Sequence, residues 1–481
     1  MKTLEEFEPK KVIYYFKELT KIPRGSGNEK EVSNYLKSFA VDRNLEVIQD
    51  ETLNIIIKKP GTKGYEESDS VILQGHMDMV NEKYSDVPHD FSKDPLELEL
   101  KEDMLYAKGT TLGADNGIAV AYILSILDSD DLSHPPIEAL ITVEEETGML
   151  GASSINSNHL SGKTLINLDS EEEGTFLVSC AGGAKNIINL DIKKENSKGI
   201  TYKLSVSGLL GGHSGMDIIK ERGNAIKIIA RVLDALREDF SFKLVEISGG
   251  AKNNAIAREA FAYILLEKEN PEILAFVSDL NNILKNEFTP QDKDLKVEIN
   301  RTEKYSGLVY TDETKNKVID ILNVLPNGVV NNSQEIEGLV ETSLNLGVLT
   351  EIDSHLELNF AVRSSVKSRK EYLIRKLDII AKLFNSESVV LSSYPEWEFK
   401  SESRVREIFK KTYQEMYSSD AKIEALHAGL ECGILYEKMP HLDMISLGPN
   451  LYDVHTPNEH MSLSSVKNVY EFLVEGLSRL K

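Results

Sequence analysis

Apolar residues follow two different periods in the first part of the chain. They recur at helical spacing in residues 12–19 and 32–39, whereas residues 71–73 and 137–143 are short apolar runs that suit buried strands. A longer run at 118–127 follows an Asp-Asn-Gly turn and predicts a buried helix that begins there. This alternation predicts an α/β fold with a mixed sheet and helices on both of its faces.

The pattern changes near residue 185. From there to about residue 393 the predicted strands are longer and alternate more regularly, as at 201–207 and 356–362, with amphipathic helices at 225–236 and 372–384. These features are typical of an α+β domain. Two strand-helix-strand stretches within it, at about 201–266 and 338–393, are compatible with two lobes, although no internal sequence repeat is evident.

The α/β pattern returns after residue 393, with a predicted helix at 404–416 and a strand at 443–447. We therefore expect a discontinuous α/β domain built from residues 1–184 and 394–481. Residues 185–393 form an inserted α+β domain in this interpretation. A chain of 481 residues is long enough for both.

Composition excludes several classes of function. The 78 acidic residues outnumber the 55 basic ones, so the net charge is −23 and no basic cluster is available for nucleic acid. No apolar run approaches the ~18 residues of a membrane helix, and no signal peptide is visible at the N-terminus. We expect a cytoplasmic protein that binds neither nucleic acid nor membrane, with Cys180 and Cys432 as reduced thiols.

Candidate chemistry begins with His76 and Asp78, which follow the apolar run 71–73. Residues two apart in a strand point to the same face, so imidazole and carboxylate leave the strand end together. Such a pair suits a metal ligand and its helper, although by itself it is more often a hydrogen-bonded strand end.

Further acidic residues and a second histidine follow later apolar segments, and together with the first pair they favour a metal site. They are Asp115, the run Glu144-Glu145-Glu146, Asp169 and Asp453-Val454-His455. This mixture of nitrogen and oxygen donors suits zinc, with cobalt or manganese as substitutes. Asp115 is our candidate for a carboxylate that bridges two metals, and of Glu145 and Glu146 one can bind metal while the other serves as general base.

These motifs occur in a recognisable order along the chain: His76-x-Asp78, Asp115-Asn116-Gly117, Glu145-Glu146-Thr147-Gly148, Asp169 and His455-Thr456-Pro457. Together they resemble the co-catalytic zinc aminoacylase and carboxypeptidase G family, whose members hydrolyse amide bonds in dipeptides and N-acylated amino acids. Residues 74–80 and 109–117 are most similar to the dipeptidases of that family. The resemblance extends over nearly the whole chain.

The resemblance implies a site with two zinc ions. It assigns His76 and Asp169 to one metal, Glu146 and His455 to the other, Asp115 to the bridge, Glu145 to the general base and Asp78 to the orientation of His76. The division of these ligands between the two metals stays open at this point. The family also has a cis peptide bond after the bridging aspartate, which predicts one between Asp115 and Asn116.

The inserted domain corresponds to the family's lid. The resemblance implies that His213 helps to stabilise the oxyanion of the tetrahedral intermediate. It further implies that Asn254 and Arg363 bind the carboxylate end of the substrate, and that Gly429 contributes a backbone contact. Lid domains in this family often mediate dimers, so a homodimer through the lid is also an expectation; the alternative is that the longer lid of this chain makes its own internal contacts instead.

The resemblance thus implies a metal-dependent dipeptidase, acting on Xaa-His and other dipeptides through attack by zinc-bound hydroxide on the peptide carbonyl. A related tripeptidase or an N-acyl amino acid deacylase remains an alternative. So does a metal-dependent binding protein without turnover, although the glutamate beside the ligands, Glu145, argues against it.

Overall fold

The computed structural model describes residues 3–481. Its α-helices, in chain order, are α1 (Lys10–Leu19), α2 (Lys30–Asp42), α3 (Ala114–Leu127), α4 (Leu150–Ser154), α5 (Ala225–Asp239), α6 (Glu272–Phe288), α7 (Asp312–Val324), α8 (Lys367–Leu383), α9 (Arg404–Tyr417), α10 (Glu431–Lys438) and α11 (Leu463–Ser478). The helices predicted at 12–19, 32–39, 118–127, 225–236, 372–384 and 404–416 are confirmed.

The strands, in the same order, are β1 (Glu46–Gln49), β2 (Ile55–Lys59), β3 (Val71–His76), β4 (Leu98–Lys101), β5 (Met104–Ala107), β6 (Ile137–Thr142), β7 (Thr164–Asn167), β8 (Thr175–Cys180), β9 (Gly182–Asp191), β10 (Lys194–Ser207), β11 (Gly212–His213), β12 (Lys243–Gly250), β13 (Ala255–Ile256), β14 (Ala260–Leu266), β15 (Lys296–Tyr310), β16 (Gly328–Asn332), β17 (Val340–Ile352), β18 (His355–Ser364), β19 (Glu387–Tyr394), β20 (Lys422–Leu426), β21 (Asp443–Ser446), β22 (Leu451–Tyr452) and β23 (His460–Ser462).

The chain divides into two compact units. The first comprises the chain up to Ser179 together with Phe399–Ala425 and Leu430–Lys481, and the second comprises Cys180–Glu398 and Leu426–Gly429. Residues 180–184, 394–398 and 426–429, which the sequence analysis places in the α/β domain, lie instead in the second unit. For residues 426–429 the reason is local bonding, because Ala181 N donates to Leu426 O at 2.9 Å and His427 Nε2 lies 2.7 Å from Ser343 Oγ.

The first unit contains the predicted mixed sheet. Its eight strands have the order β1-β2-β6-β3-β7-β21-β8-β20, and the central neighbours β6, β3, β7 and β21 are parallel. Strands β1, β2 and β8 join it in antiparallel fashion. The parallel centre means that the carboxyl ends of β3, β6 and β7 lie along one edge of the sheet.

Helices cover both faces of this sheet, as predicted. Phe16 of α1 and Tyr122 of α3 belong to one hydrophobic cluster, which also contains Val71 and Leu73 of β3. Ile72, which lies between Val71 and Leu73, is equally buried but lies outside this cluster. Gln74, on the same face of β3 as Ile72, donates to Glu431 of α10, so a helix covers the opposite face as well. A strand buried on both faces explains why its sequence is an unbroken apolar run.

The second unit is built on an antiparallel sheet of nine strands. Eight of them have the order β15-β10-β14-β12-β17-β18-β9-β19, and β16 pairs with β17. Helices α5 to α8 supply apolar side chains to the hydrophobic cluster of this unit. Both stretches that were considered as lobes contribute to this one sheet, where β12 and β17 meet through only two residue pairs, at Gly249 and Gly250.

Candidate metal centre

Strands β3, β6 and β7 place the candidate residues at one edge of the first unit. His76 is the last residue of β3, Glu145 and Glu146 follow the end of β6, and Asp169 follows the end of β7. These three strands are parallel neighbours, so their carboxyl ends are adjacent. Residues distant in sequence are therefore brought to the same place by the order of the strands.

Asp115 reaches the same edge from the start of α3. Gly75 permits close approach of this helix, because a Cβ at residue 75 would lie 2.5 Å from Asn116 Oδ1 and 2.8 Å from the Ala119 side chain. The Asn116 amide joins the surrounding backbone: its Oδ1 accepts from His76 N at 3.1 Å, and its Nδ2 donates to Leu168 O at 2.9 Å. The peptide bond between Asp115 and Asn116 is cis, as predicted.

The two carboxylate oxygens of Asp115 face different histidines. Oδ1 lies 3.1 Å from His76 Nε2, which also lies 3.4 Å from Asp169 Oδ1. Oδ2 lies 3.0 Å from His455 Nε2, which also lies 3.0 Å from Glu146 Oε2. The structure thus brings together all five predicted ligands, with Asp115 in the middle of the group.

Asp78 lies on the other side of the His76 ring. Its Oδ1 is 3.2 Å from His76 Nδ1, and its side chain is fully buried. The same carboxylate accepts from the backbone N–H groups of Glu145 at 3.1 Å and Glu146 at 3.3 Å, and from Ser26 Oγ at 2.8 Å. Asp78 therefore links the end of β3 to the segment that carries both glutamates.

Crowding of carboxylates shifts the pKa values of the cluster. Burial raises the pKa of Glu145 well above its ordinary value, with further contributions from the charges of Asp169 and Glu431. Burial likewise raises the pKa of Asp169 to about 7. Hydrogen bonds with Asp115 and Glu146 raise the pKa of His455 to about 11. A bound cation would offset the repulsion among these buried carboxylates.

The donor set fits a metal ion. Ligand atoms of His76, Asp115 and Glu146 all lie within 4.8 Å of one another. Within the described part of the chain, the buried oxygen Glu146 Oε1 has no hydrogen-bond partner. Imidazole nitrogen and carboxylate oxygen are the donors that zinc accepts in catalytic sites, so these residues can hold such an ion.

Three buried ionisable residues near the predicted metal ligands were not selected by the sequence analysis. Glu431 accepts from Gln74 Nε2 at 2.5 Å and Thr142 Oγ1 at 2.7 Å, and burial raises its pKa to about 7. The other two are Arg24, which donates to backbone carbonyls, and Glu459, which accepts from backbone N–H groups. Glu431 lies two residues after Gly429 and Glu459 lies four residues after His455, both of which the resemblance selects, whereas no pattern marks Arg24.

The second unit holds the residues predicted to bind substrate. His213 pairs with Ala255 in the two-stranded sheet of β11 and β13, and the adjacent Asn254 carbonyl accepts from Ser214 N at 2.8 Å. Residues 213 and 254 are thus neighbours. Gly429 lies in the segment Leu426–Gly429 of the same unit.

Arg363 is a largely buried cation of β18 in the second unit. Its Nη1 donates to Tyr394 OH at 2.7 Å. Burial and the charge of Arg363 lower the pKa of His213, and the same causes, with the charge of His213, lower the pKa of His427 to about 3. His213 and His427 therefore lie within electrostatic reach of the Arg363 guanidinium.

A parallel-centred sheet whose carboxyl edge gathers two histidines and several carboxylates defines the class of α/β metallohydrolases. Residues 72–479 match the model of peptidase family M20/M25/M40. The cytosol non-specific dipeptidase of Escherichia coli (strain K12) is 37% identical over 483 residues, which cover 100% of this chain and 99% of that protein. The chain therefore belongs to peptidase family M20/M25/M40.

Solved structures agree with this assignment. The aminoacylhistidine dipeptidase from Vibrio alginolyticus matches with a TM-score of 0.92 and 35% identity, over 99% of this chain and 98% of that one. Aminopeptidase PepT from Bacillus cereus matches with a TM-score of 0.57 and 17% identity, over 98% and 99% of the two chains, and it shares the fold. No helix within residues 3–481 has the length and apolar character needed to cross a membrane.

Proposed function

We propose that the protein is a metal-dependent dipeptidase that hydrolyses Xaa-His and other dipeptides. The observation that carries this proposal is the carboxyl edge of the first unit, where two histidines lie 3.0 and 3.1 Å from opposite oxygens of Asp115. The full-length similarity to two dipeptidases supports the choice of dipeptides over tripeptides and N-acyl amino acids.

Five side chains would hold two zinc ions in this proposal. His76 and Asp169 would hold one ion, Glu146 and His455 would hold the other, and Asp115 would be shared between them. The contacts of the two Asp115 oxygens support this division. Bound metal supplies a Lewis acid for the scissile carbonyl and lowers the pKa of water. Cobalt and manganese are expected substitutes.

Glu145 is our general base, and Asp78 orients the His76 ring. The raised pKa of Glu145 supports the first role, because a carboxylate with increased proton affinity can take a proton from water and return it to the leaving amine. The distance of 3.2 Å between Asp78 Oδ1 and His76 Nδ1 supports the second.

In the second unit, which we propose to be the lid, Arg363 and Asn254 bind the carboxylate of the dipeptide. His213 stabilises the oxyanion, and Gly429 supplies a backbone contact. The buried guanidinium of Arg363, whose charge lowers the pKa values of His213 and His427, supports this assignment because a guanidinium favours an anionic ligand. We extend to this chain the cytosolic location in the name of the Escherichia coli relative. A homodimer through the second unit stays a prediction that analytical ultracentrifugation would test.

A substrate panel tests the proposed function. Purified protein is supplied with zinc and given Xaa-His dipeptides, other dipeptides, tripeptides and N-acetyl amino acids, and product is measured by amine release. We expect dipeptides to have the highest kcat/KM. A higher value for a tripeptide or an N-acetyl amino acid would assign the protein to a different activity, and absence of turnover on every substrate would contradict the enzyme assignment.

A further inference from the structure

Glu459 makes an unusual set of contacts in the first unit. One carboxylate oxygen accepts from the backbone N–H groups of Leu112 at 2.8 Å and Gly113 at 3.0 Å. The other accepts from those of Ala114 at 2.8 Å and Asp115 at 3.3 Å. The side chain is 2% exposed, so four consecutive donors depend on one buried carboxylate.

Arg24 binds the carbonyl side of the same segment. Its Nη2 donates to Gly113 O at 2.5 Å, and its Nη1 donates to Met77 O at 3.0 Å and Asp78 O at 3.1 Å. Gly113 has a φ of +65°, and a Cβ there would lie 2.5 Å from Arg24 Nη2. The segment that delivers Asp115 is therefore bound on both sides by buried charged groups.

These contacts connect three parts of the chain that carry candidate site residues. Glu459 belongs to the turn that follows His455, since Glu459 N donates to Thr456 O at 3.0 Å. Its carboxylate bonds to the segment that ends at Asp115, and Arg24 bonds both to that segment and to the backbone of Asp78. The relative positions of Asp78, Asp115 and His455 thus depend on this pair.

We infer that Glu459 and Arg24 are positioning residues that set the placement of Asp115 between His76 and His455. The expected loss of catalytic activity rests on the proposed function. The expected loss of zinc affinity does not, because it depends only on where the ligands lie. A ligand displaced by a fraction of an ångström binds metal less well, whether or not the enzyme is given a substrate.

Glu459→Gln is the direct test, because glutamine keeps the size of the side chain and replaces one acceptor oxygen with a donor. Two of the four backbone N–H groups then lose their acceptor. We expect the zinc dissociation constant, measured by competition with a chromophoric chelator, to rise at least about tenfold. The kcat for a dipeptide should fall at least tenfold, with KM changed less than threefold.

Glu138→Gln is the matched control. Glu138 is also a buried carboxylate of the first unit, and it accepts from the N–H groups of Ser161 at 2.8 Å and Gly162 at 3.0 Å, but it lies on β6 before the strand reaches the cluster. Both variants should unfold at lower temperature than the parent. Only Glu459→Gln should change the zinc dissociation constant and kcat, since a purely structural role would affect the two variants alike.

The inference is overturned if Glu459→Gln matches Glu138→Gln within twofold in both zinc affinity and kcat. If Glu459→Gln does not fold, Arg24→Lys tests the same inference, because lysine has one nitrogen in place of the two terminal nitrogens that share these three carbonyls. We then expect at least a fivefold weaker zinc affinity, and an unchanged affinity overturns the inference. An inactive parent that still binds zinc would contradict the proposed function alone.

Discussion

Two histidines near the candidate site residues, His455 in the first unit and His427 in the second, have pKa values shifted in opposite directions. In the first unit, His455 has a pKa raised to about 11 by hydrogen bonds with Asp115 and Glu146. In the second unit, burial and the charge of Arg363 lower the pKa of His427 to about 3. In the proposed function, the side chains around His455 would hold metal cations, and Arg363, whose charge lowers the pKa of His427, would bind the carboxylate of the dipeptide.

Loss of the general base is expected to have the largest effect. Glu145→Gln removes the proton acceptor without removing a proposed ligand, so kcat should fall by about 10²–10⁴-fold while metal content stays the same. Glu144→Gln is the matched control, since it changes the neighbouring glutamate and should keep activity near that of the parent. Equal loss in the two variants, or normal turnover by Glu145→Gln, would refute the assignment. Steady-state kinetics and metal analysis provide the measurements.

Removal of a proposed metal ligand should weaken zinc binding by the first unit. His455→Ala leaves Asp115 Oδ2 and Glu146 Oε2 without their shared neighbour. We expect the zinc dissociation constant to rise by at least about 100-fold. Loss of a residue that only hydrogen-bonds to a metal ligand weakens metal affinity by about 10–100-fold, and loss of a ligand should weaken it at least as much. His441→Ala changes an exposed histidine of the same unit and should leave the zinc affinity as it is. Unchanged zinc affinity in His455→Ala would remove it from the ligand set.

Replacement of Arg363 tests its proposed contact with the carboxylate of the dipeptide. Arg363→Ala should raise KM for a dipeptide by about 10–100-fold, the equivalent of ~1.5–3 kcal/mol for a charge-assisted hydrogen bond. Arg363→Lys should recover only part of this loss, because lysine keeps the charge but not the fork.

A dipeptide with an amidated C-terminus serves as the control substrate for Arg363. The parent should bind it weakly, and Arg363→Ala should then have little additional effect. If the variant loses as much with the amide as with the free carboxylate, Arg363 does not recognise that group.

The smallest expected effect concerns pH and stability. The pKa of His427 is about 3 in the folded protein, against about 6.5 when unfolded. As the pH falls below about 6.5 the unfolded chain binds a proton that the folded chain excludes, so stability decreases towards acid. This residue contributes a slope of up to about 1.4 kcal/mol per pH unit.

His427→Gln should flatten that slope between pH 6 and 4.5, as measured by urea unfolding at several pH values. His441→Gln is the control, because His441 is exposed and its replacement should leave the slope unchanged. A parent and a His427 variant with identical slopes would show that the buried imidazole is not the group responsible.

The comparison also shows which parts of the molecule could be predicted from sequence. Helices and strands with regular periodicity were predicted well, and the cluster residues follow the ends of apolar runs, as His76 and Asp169 illustrate. Parallel strands convert that sequence pattern into proximity. No such rule exists for the antiparallel second unit, where the candidates His213, Asn254 and Arg363 came from resemblance alone.

Glu459 and Arg24 could not be predicted because their partners are backbone groups. Their importance depends on where the N–H and carbonyl groups of Leu112–Asp115 point, and side-chain identity does not encode that. The strand order of the second unit could not be predicted either, because Gly249 and Gly250 of β12 pair with residues of β17 that are distant in sequence. Long-range geometry is what the structure adds to the motifs.

The most direct test of the account is a zinc titration of protein that has been treated with a chelator and shown by metal analysis to be free of metal. The rate of hydrolysis of one Xaa-His dipeptide is followed as zinc is restored. We predict no measurable rate without metal and a rise that follows zinc occupancy. Full hydrolysis by the metal-free protein would contradict the assignment of the carboxyl edge as a catalytic metal centre.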